Sequence, residues 1–108
     1  MKRKTIRNHK DFLTTPDDPV AANSFFIVKA KLAAKKDSRY GVVVSKRIFR
    51  MAVQRNRVKR ILRDWIAYNE HLMLPNMDYI FIGREPILEC TREEGRKKMA
   101  TALKKISK

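Results

Sequence analysis

Alternating apolar and polar positions predict three strands. Residues 24–32 (SFFIVKAKL) repeat with a period of two, which is typical of a strand with one buried face. Residues 39–45 are apolar on both faces, which predicts an interior strand, and residues 78–82 are rich in β-branched and aromatic side chains. Residues 35–38 predict a hairpin turn between the first two strands. In the first strand, Phe26, Val28, Ala30 and Leu32 are predicted to face a core, and Phe25, Ile27, Lys29 and Lys31 to share the other face.

Two longer segments repeat with the period of a helix. Residues 51–70 place apolar side chains on one side and basic or amide side chains on the other. Residues 91–106 begin with Thr91 and Glu94 in the spacing of a capping box, which predicts a C-terminal helix. Gly95 is expected to weaken the first turn of that helix by about 1 kcal/mol relative to alanine. The predicted buried stripes are Val58, Ile61, Leu62, Trp65 and Ile66 in the first helix and Met99, Ala102, Leu103 and Ile106 in the second.

Together these elements predict a single domain over residues 1–108. Two adjacent strands, a helix, a third strand and a closing helix favour an α+β sandwich in which the helices pack on one face of the sheet. Residues 1–10 carry five Lys or Arg side chains and predict a flexible basic arm. A short helical turn before Pro16 is compatible with the sequence. From the pattern alone, the β-α-β crossover is expected to be right-handed.

The predicted helix over 51–70 and the loop before it carry an unusual charge pattern. Eight Lys or Arg residues and no Asp or Glu lie from Lys46 to Arg63. Acidic side chains are favoured in the first turn of a helix because the helix dipole is positive there. Here basic residues crowd that end, and no Ser, Thr, Asp or Asn stands at an N-cap position near Arg50. A merely solvated helix face does not explain the missing acids, whereas a polyanionic partner supplies the counter-charge.

The composition supports a polyanionic partner. The chain has 108 residues, a formal net charge of +15 and a pI near 10.5. A membrane surface is the rival polyanion, but no apolar run approaches the roughly 20 residues that span a bilayer, and the first residues lack the apolar segment of a secretory signal. The single cysteine, Cys90, excludes an internal disulfide and fits a reducing cytoplasm. Cys90 also lacks partners at metal-binding spacing.

No catalytic constellation is evident in the sequence. The serine-hydrolase, zinc-protease and phosphate-loop motifs are absent. His9 and His71 are isolated. A two-metal nuclease site could be imagined on Asp11, Asp17 and Asp18, but Asp17 and Asp18 lie between two prolines and are explained more simply as a turn. The sequence therefore predicts a binding protein.

The string AVQRNRVKRILR (52–63), preceded by VSKR (44–47), resembles the RNR motif of the bacterial ribonuclease P protein family. An upstream KDF (10–12), a strand pair, a downstream DYIFI (78–82) and a C-terminal helix follow in that family's order, so the resemblance covers nearly the whole chain. It implies an α+β fold of order αββ(β)αβα, shared with the second domain of a small-subunit ribosomal protein. It also implies a left-handed β-α-β crossover around the RNR helix, against the general rule, and we adopt this expectation.

The resemblance implies a function in tRNA maturation. The chain would be the protein subunit of ribonuclease P, an endoribonuclease in which a catalytic RNA and RNA-bound Mg²⁺ remove the 5′ leader of precursor tRNA. The protein would anchor on the RNA and bind the leader, which improves substrate affinity and lowers the metal requirement. The chain itself would carry no catalytic residues and no cofactor. It would need no membrane and no protein partner, and would act in the bacterial cytoplasm.

Two sets of site residues are predicted, partly from the resemblance and partly from the residue pattern. The resemblance assigns Lys46, Arg47, Arg55, Asn56, Arg57, Lys59, Arg60 and Phe12, whereas Arg50 and Arg63 follow from the charge pattern and Phe25, Lys29 and Lys31 from the open face of the first strand. The RNA-binding set is Lys46, Arg47, Arg50, Arg55, Asn56, Arg57, Lys59, Arg60 and Arg63. The leader-binding set is Phe12, Phe25, Lys29 and Lys31. Two positions depart from the family pattern. Pro16 stands where the family usually has a second aromatic residue in the leader site, and Lys29 stands where the family has an aromatic residue on a strand. We therefore expect a leader site that relies more on charge and less on stacking.

Three other functions are compatible with parts of this pattern. A structural RNA-binding protein of the ribosomal type would share the charge and the fold, although the RNR string with VSKR before it argues against this. A DNA-binding helix module would need a helix-turn-helix, but strands flank the predicted helix. A nuclease acting alone would show cleavage without any RNA cofactor. The strand face that carries Lys29 and Lys31 also has a purely structural interpretation, in which the strand is half exposed to solvent and its lysines do not bind nucleic acid.

Overall fold

A computed structural model of the chain describes residues 4–6, 12, 15–33 and 38–107. Within these residues, five strands form one mixed sheet in the order β1-β4-β5-β3-β2. β4 is parallel to β1 and β5, and β3 is antiparallel to β5 and β2. The strands are β1 (Lys4–Thr5), β2 (Val20–Ala22), β3 (Phe26–Leu32), β4 (Arg39–Val43) and β5 (Met77–Gly83), and the helices are α1 (Ala52–Tyr68) and α2 (Arg92–Ile106). Two 3₁₀ turns cover Glu70–Leu72 and Glu85–Glu89.

The predicted hairpin between the first two long strands is wrong, because β3 and β4 are not hydrogen-bonded to each other. β5 lies between them and pairs with both. β5 is buried at all but one of its seven positions, so the centre of the sheet is where its apolar side chains are covered on both faces. β4 is paired on both sides, which confirms that it is an interior strand. Residues 34–37 of the predicted turn lie outside the described residues.

The α+β sandwich with two helices on the sheet is confirmed. The predicted helix over 51–70 is observed as α1 followed by a 3₁₀ turn, and the predicted helix over 91–106 is α2. Thr91 caps α2, since its side chain accepts a hydrogen bond from the Glu94 backbone N–H at 3.2 Å. α1 connects the adjacent parallel strands β4 and β5. The left hand of this crossover stays a prediction.

Part of the predicted N-terminal basic arm is a strand. Lys4 and Thr5 pair with β4, and the Ile6 backbone N–H donates to the Tyr40 carbonyl oxygen at 2.7 Å. The Ile6 side chain is buried. The remainder of residues 1–10 lies outside the described residues. Of the expected helical turn before Pro16, only Phe12 and Thr15 are described.

The sheet has a core face and a second face. The core face meets α1 and α2 and carries Phe26, Val28 and Ala30 of β3, all fully buried as predicted. Leu32 is the exception, with 72% of its surface exposed, because it is the last residue of β3 and lies at the end of the strand ladder. The strand register places Ile27, Lys29, Lys31, Gly41, Ile80 and Ile82 on the second face.

The helices bury the predicted stripes. Val58, Leu62, Trp65 and Ile66 of α1 are buried, and Ile61 is half-buried. All four predicted positions of α2 are buried as well: Met99, Ala102, Leu103 and Ile106. Gly95 lies against the Trp65 ring so closely that a Cβ atom would overlap it. The helix-weakening glycine therefore permits the close approach of α2 to α1.

Candidate nucleic-acid interface

The loop between β4 and α1 is fixed from inside while its basic side chains point outward. The Phe49 backbone N–H donates to the Ser45 carbonyl oxygen at 2.9 Å, and the Arg47 backbone N–H donates to Ser45 Oγ at 3.1 Å. Phe49 is buried in the core and anchors the loop. Lys46, Arg47 and Arg50 are exposed. The loop therefore presents three cations on a rigid support.

Arg55 connects the helix to this loop. Its Nη1 donates to the carbonyl oxygens of Phe49 and Arg50, each at 2.9 Å. The side chain turns back to the chain that precedes the helix. Arg55 is half-buried as a result. The Arg55 side chain therefore helps to hold the loop in position.

At the start of α1, neither a capping side chain nor an acidic residue offsets the positive end of the helix dipole. Met51 occupies the N-cap position, makes no side-chain capping hydrogen bond, and is followed by a first turn without acidic residues. The unpaired backbone N–H groups of a helix start and the aligned peptide dipoles favour an anion there. Five of the basic residues stand in the loop or the first turns. Among the described residues, this end of α1 therefore has the charge and geometry that favour an anion.

The outward side of α1 extends the basic surface along the helix. Asn56, Arg57, Arg60 and Arg63 are exposed, and Lys59 is half-buried. This agrees with the helical positions predicted for them. The loop–helix surface is defined here as the nine side chains Lys46, Arg47, Arg50, Arg55, Asn56, Arg57, Lys59, Arg60 and Arg63.

Three exposed apolar residues border the loop–helix surface and were not recognised in the sequence. Ile48, Met51 and Val53 are 46%, 61% and 71% exposed. Ile48 lies in the loop, and Met51 and Val53 lie at the start of α1, outside its buried stripe. These positions are the sequence signal that could have revealed them. They place apolar area among the cations, which suits contact with bases or sugars.

A cleft of about 430 Å³ opens beside α1, where it meets the second 3₁₀ turn and the start of α2. It is lined by Arg57, Arg60, Ile61, Asp64, Trp65, Leu88, Cys90 and Arg92. Burial raises the pKa of the Cys90 thiol, and the nearby Glu94 carboxylate adds to the rise. The cleft was not predicted because its walls come from three segments that only the tertiary structure brings together.

Asp64 links the two helices next to this cleft. Arg96 of α2 binds it with Nε to one carboxylate oxygen at 3.3 Å and Nη2 to the other at 3.1 Å. The Arg96 guanidinium also lies over the Tyr68 ring, 4.2 Å from its centroid. Asn69 adds a bond from its side-chain amide to the Arg96 carbonyl oxygen at 3.0 Å. These contacts fix α2 against α1.

The second face of the sheet carries most of the predicted leader site. The Phe12 ring lies against Gly41 of β4, at a distance that a Cβ atom would not allow. Lys29 and Lys31 of β3 stand on the same face, two strands away across β5, where Lys29 is level with Ile80. The structure therefore brings an aromatic ring and two lysines to one side of the sheet.

Phe25 is not part of this arrangement. It lies in the bend before β3, is half-buried and packs against the core cluster. The strand alternation that placed it beside Lys29 fails because the strand begins only at Phe26. Its backbone continues the pairing of β3 with β5, since the Phe25 carbonyl oxygen accepts a hydrogen bond from the Arg84 backbone N–H at 2.9 Å.

One end of the second face is closed by a buried ion pair. Asp78 of β5 accepts hydrogen bonds from the Arg39 backbone N–H at 2.7 Å and from Arg39 Nη2 at 3.1 Å. The Asp78 side chain is fully buried. Because the carboxylate is bonded to both parts of one residue, it fixes β4 against β5 at the level of Lys31.

Membrane-spanning helices and metal-binding clusters are absent from the described part of the chain. No helix there is long and apolar enough to cross a membrane. Within residues 4–6, 12, 15–33 and 38–107, no three His, Cys, Asp or Glu side chains are grouped so that they could hold a metal ion. The α+β fold and the loop–helix surface define a small basic protein of the RNA-binding class.

Comparisons with known proteins specify the family. The family model for ribonuclease P matches residues 1–107. The chain is 31% identical over 106 residues to the ribonuclease P protein component of Desulforapulum autotrophicum, covering 97% of this chain and 90% of the relative. It is also 31% identical over 106 residues to that of Bacillus pumilus, covering 96% and 88%.

Solved structures agree. The Staphylococcus aureus ribonuclease P protein superposes with a TM-score of 0.76 at 28% identity, covering 95% of this chain and 94% of that one. The Thermotoga maritima protein gives a TM-score of 0.77 at 27% identity, covering 94% and 96%. The chain belongs to the bacterial ribonuclease P protein family. It is accordingly a subunit of an RNA-containing endoribonuclease of tRNA 5′ processing.

Proposed function

We propose that the loop–helix surface binds the catalytic RNA of ribonuclease P and that the second face of the sheet binds the 5′ leader of precursor tRNA. The observation that carries the first part is the uncapped, acid-free start of α1 surrounded by basic side chains. The second part is supported by Phe12, Lys29 and Lys31 on one side of the sheet.

The chemistry of the loop–helix surface suits a folded RNA. Arginine holds phosphate with two parallel N–H donors and also stacks on bases, and this surface carries six arginines and two lysines. Asn56 can donate and accept at once, so it can bind a base edge or order a neighbouring arginine. Arg55 positions the loop through the Phe49 and Arg50 carbonyls. Binding of this kind is expected to weaken strongly with salt.

The proposed leader site combines one stacking surface with two cations. The Phe12 ring can stack on a base, and the ammonium groups of Lys29 and Lys31 can attract leader phosphates. Phe25 is left out because it packs against the core. The remaining set keeps the expected emphasis on charge, since one aromatic residue serves with two lysines.

The hydrolytic step is assigned to the RNA. Within the described residues, no three His, Cys, Asp or Glu side chains are grouped so that they could hold a metal ion. Mg²⁺ is proposed to be held by the RNA of the holoenzyme. The contribution of the chain would be to neutralise phosphate charge and to position the leader. Action in the cytoplasm, together with the RNA, is part of the same proposal.

Precursor-tRNA cleavage at low Mg²⁺ tests this function. The chain is mixed with a bacterial ribonuclease P RNA, and cleavage is compared for the wild type and for Arg57→Ala with Arg60→Ala. We expect the wild type to stimulate cleavage and the double variant to bind the RNA at least about tenfold more weakly, since hydrogen bonds to charged groups are lost. Lys104→Ala with Lys105→Ala, on the last turn of α2, is the control with the same charge change.

The three outcomes of this experiment are distinct. Stimulation that depends on the two arginines, and not on the two lysines, supports the proposed surface. Tight RNA binding without stimulation would instead indicate a structural RNA-binding protein. Cleavage by the chain without any RNA cofactor would contradict the RNA-catalysed mechanism.

A further inference from the structure

The cleft beside α1 combines positive charge with concave shape. Arg57 and Arg60 line it from α1, and Arg92 lines it from the first residue of α2. Among the described residues, neither the Arg57 nor the Arg60 side chain has a hydrogen-bond or ion-pair partner. The cleft thus gathers three guanidinium groups from two helices that are distant in sequence.

The one carboxylate in the lining does not neutralise these groups. Asp64 is already bound through both oxygens by Arg96, which is not a lining residue. The Arg92 Nε is 4.0 Å from an Asp64 oxygen, and the Arg92 side chain is 73% exposed. The local charge is therefore positive, and an anionic group is the complementary ligand.

The other side of the cleft is apolar. Ile61, Leu88 and Cys90 line it, and each is half-buried. The volume of about 430 Å³ lies in the range of small-molecule sites. A phosphate group alone would leave this wall in contact with water, whereas a nucleotide places a phosphate and a flat base in the same site. Unpaired bases of RNA are commonly turned out of the stack into such sites.

We propose that this cleft receives one unpaired nucleotide of the catalytic RNA, with its phosphate on the arginines and its base against Ile61, Leu88 and Cys90. The inference rests on the proposed binding of the RNA to the loop–helix surface. It adds Leu88, Cys90 and Arg92, which lie outside the RNR string, to the RNA interface.

The chain's single cysteine lies in the cleft and serves as a reporter. Alkylation of Cys90 by iodoacetamide is followed in the full chain with and without saturating ribonuclease P RNA. This reagent is uncharged, so RNA does not repel it, and a mildly alkaline buffer supplies enough thiolate. RNA binding is measured in the same samples by a filter or fluorescence assay.

A neighbouring cysteine provides the matched control. Cys90→Ser with Glu89→Cys moves the thiol by one residue to a position that is exposed and outside the cleft lining. We expect bound RNA to slow alkylation at position 90 by at least about tenfold and at position 89 by less than about threefold. The difference would show that a group enters the cleft.

Each other result overturns the inference. Unchanged Cys90 alkylation in a tight complex would exclude occupancy of the cleft, while the proposed RNA-binding function would stand. Equal protection at positions 89 and 90 would show that RNA covers the region without entering. Failure of the RNA to bind would remove the proposed function together with this inference.

A charge variant tests the phosphate contact independently. Arg92→Ala is expected to weaken RNA binding about fivefold to tenfold and to reduce the slope of log K against log salt by about one. Lys105→Ala, at the far end of the same helix, removes the same charge outside the cleft and is expected to change the affinity less than about twofold. Equal effects of the two variants would contradict a phosphate contact at Arg92.

Discussion

Gly95 of α2 lies against the indole ring of Trp65 in α1, with no space for a side chain between the helices. Trp65 is 1% exposed and also contacts Phe26, whose ring centroid is 6.0 Å away. The tryptophan is therefore held between the sheet and α2. The position of α2, and with it one wall of the cleft, depends on this glycine.

Gly95→Ala is expected to destabilise the protein although alanine favours a helix. The gain in helix propensity is about 1 kcal/mol, whereas forcing a methyl group into a packed core costs about 1–3 kcal/mol. Because a Cβ atom at position 95 would overlap the Trp65 ring, the packing cost is expected at the upper end of this range. The net loss of stability is then about 1–2 kcal/mol. Chemical denaturation gives the value. In a Trp65→Leu background the same change should become neutral or stabilising, and an undiminished loss there would contradict the steric explanation.

Arg55 and Arg57 should separate a positioning role from direct binding. Arg55→Ala leaves the Phe49 and Arg50 carbonyls without their donor, and we expect the free energy of unfolding to fall by about 1–2 kcal/mol. Arg57→Ala removes the same charge from an exposed site and should change stability by less than about 0.5 kcal/mol. Thermal unfolding and RNA affinity are measured for both. Equal stability of the two variants would show that the Arg55 bonds do not hold the loop.

Phe12→Ala should weaken binding of precursor tRNA by the holoenzyme about tenfold, since stacking of a base on an aromatic ring is worth about 1–3 kcal/mol. The affinity for mature tRNA, which has no leader, serves as the internal control and should not change. Gly41→Ala should act in the same direction, because a Cβ atom there would displace the Phe12 ring. A similar loss for mature tRNA would place the effect outside the leader site.

Lys29→Ala tests the electrostatic part of the leader site. The loss of precursor affinity should be greatest at low salt and should shrink as salt rises, because the contact is expected to be with phosphate. Equilibrium binding at two salt concentrations measures this, with Lys104→Ala as a charge-matched control away from the second face. A loss that is independent of salt would rule out a phosphate contact at Lys29.

The sequence by itself determined both helices, three of the five described strands and the basic surface, whereas the short strands β1 and β2 were not predicted. The period of the apolar positions correctly predicted the buried stripes of α1 and α2, because helical spacing alone decides which side chains share a face. Thr91 and Glu94 located the start of α2 for the same local reason. The absence of acids from Lys46 to Arg63 is a property of composition, so the loop–helix surface could be predicted without a fold.

Only the tertiary structure decided which segments meet. Periodicity states that a face is buried but does not name its partner, so β5 was not expected between β3 and β4. The alternation also could not say where β3 begins, so it did not predict that Phe25 lies half-buried against the core cluster. The contacts of Phe12 with Gly41 and of Gly95 with Trp65 join residues separated by about thirty positions. These contacts depend on packing between elements, and so does the cleft that Cys90 and Arg92 help to line. A single sequence carries no local signal for such packing.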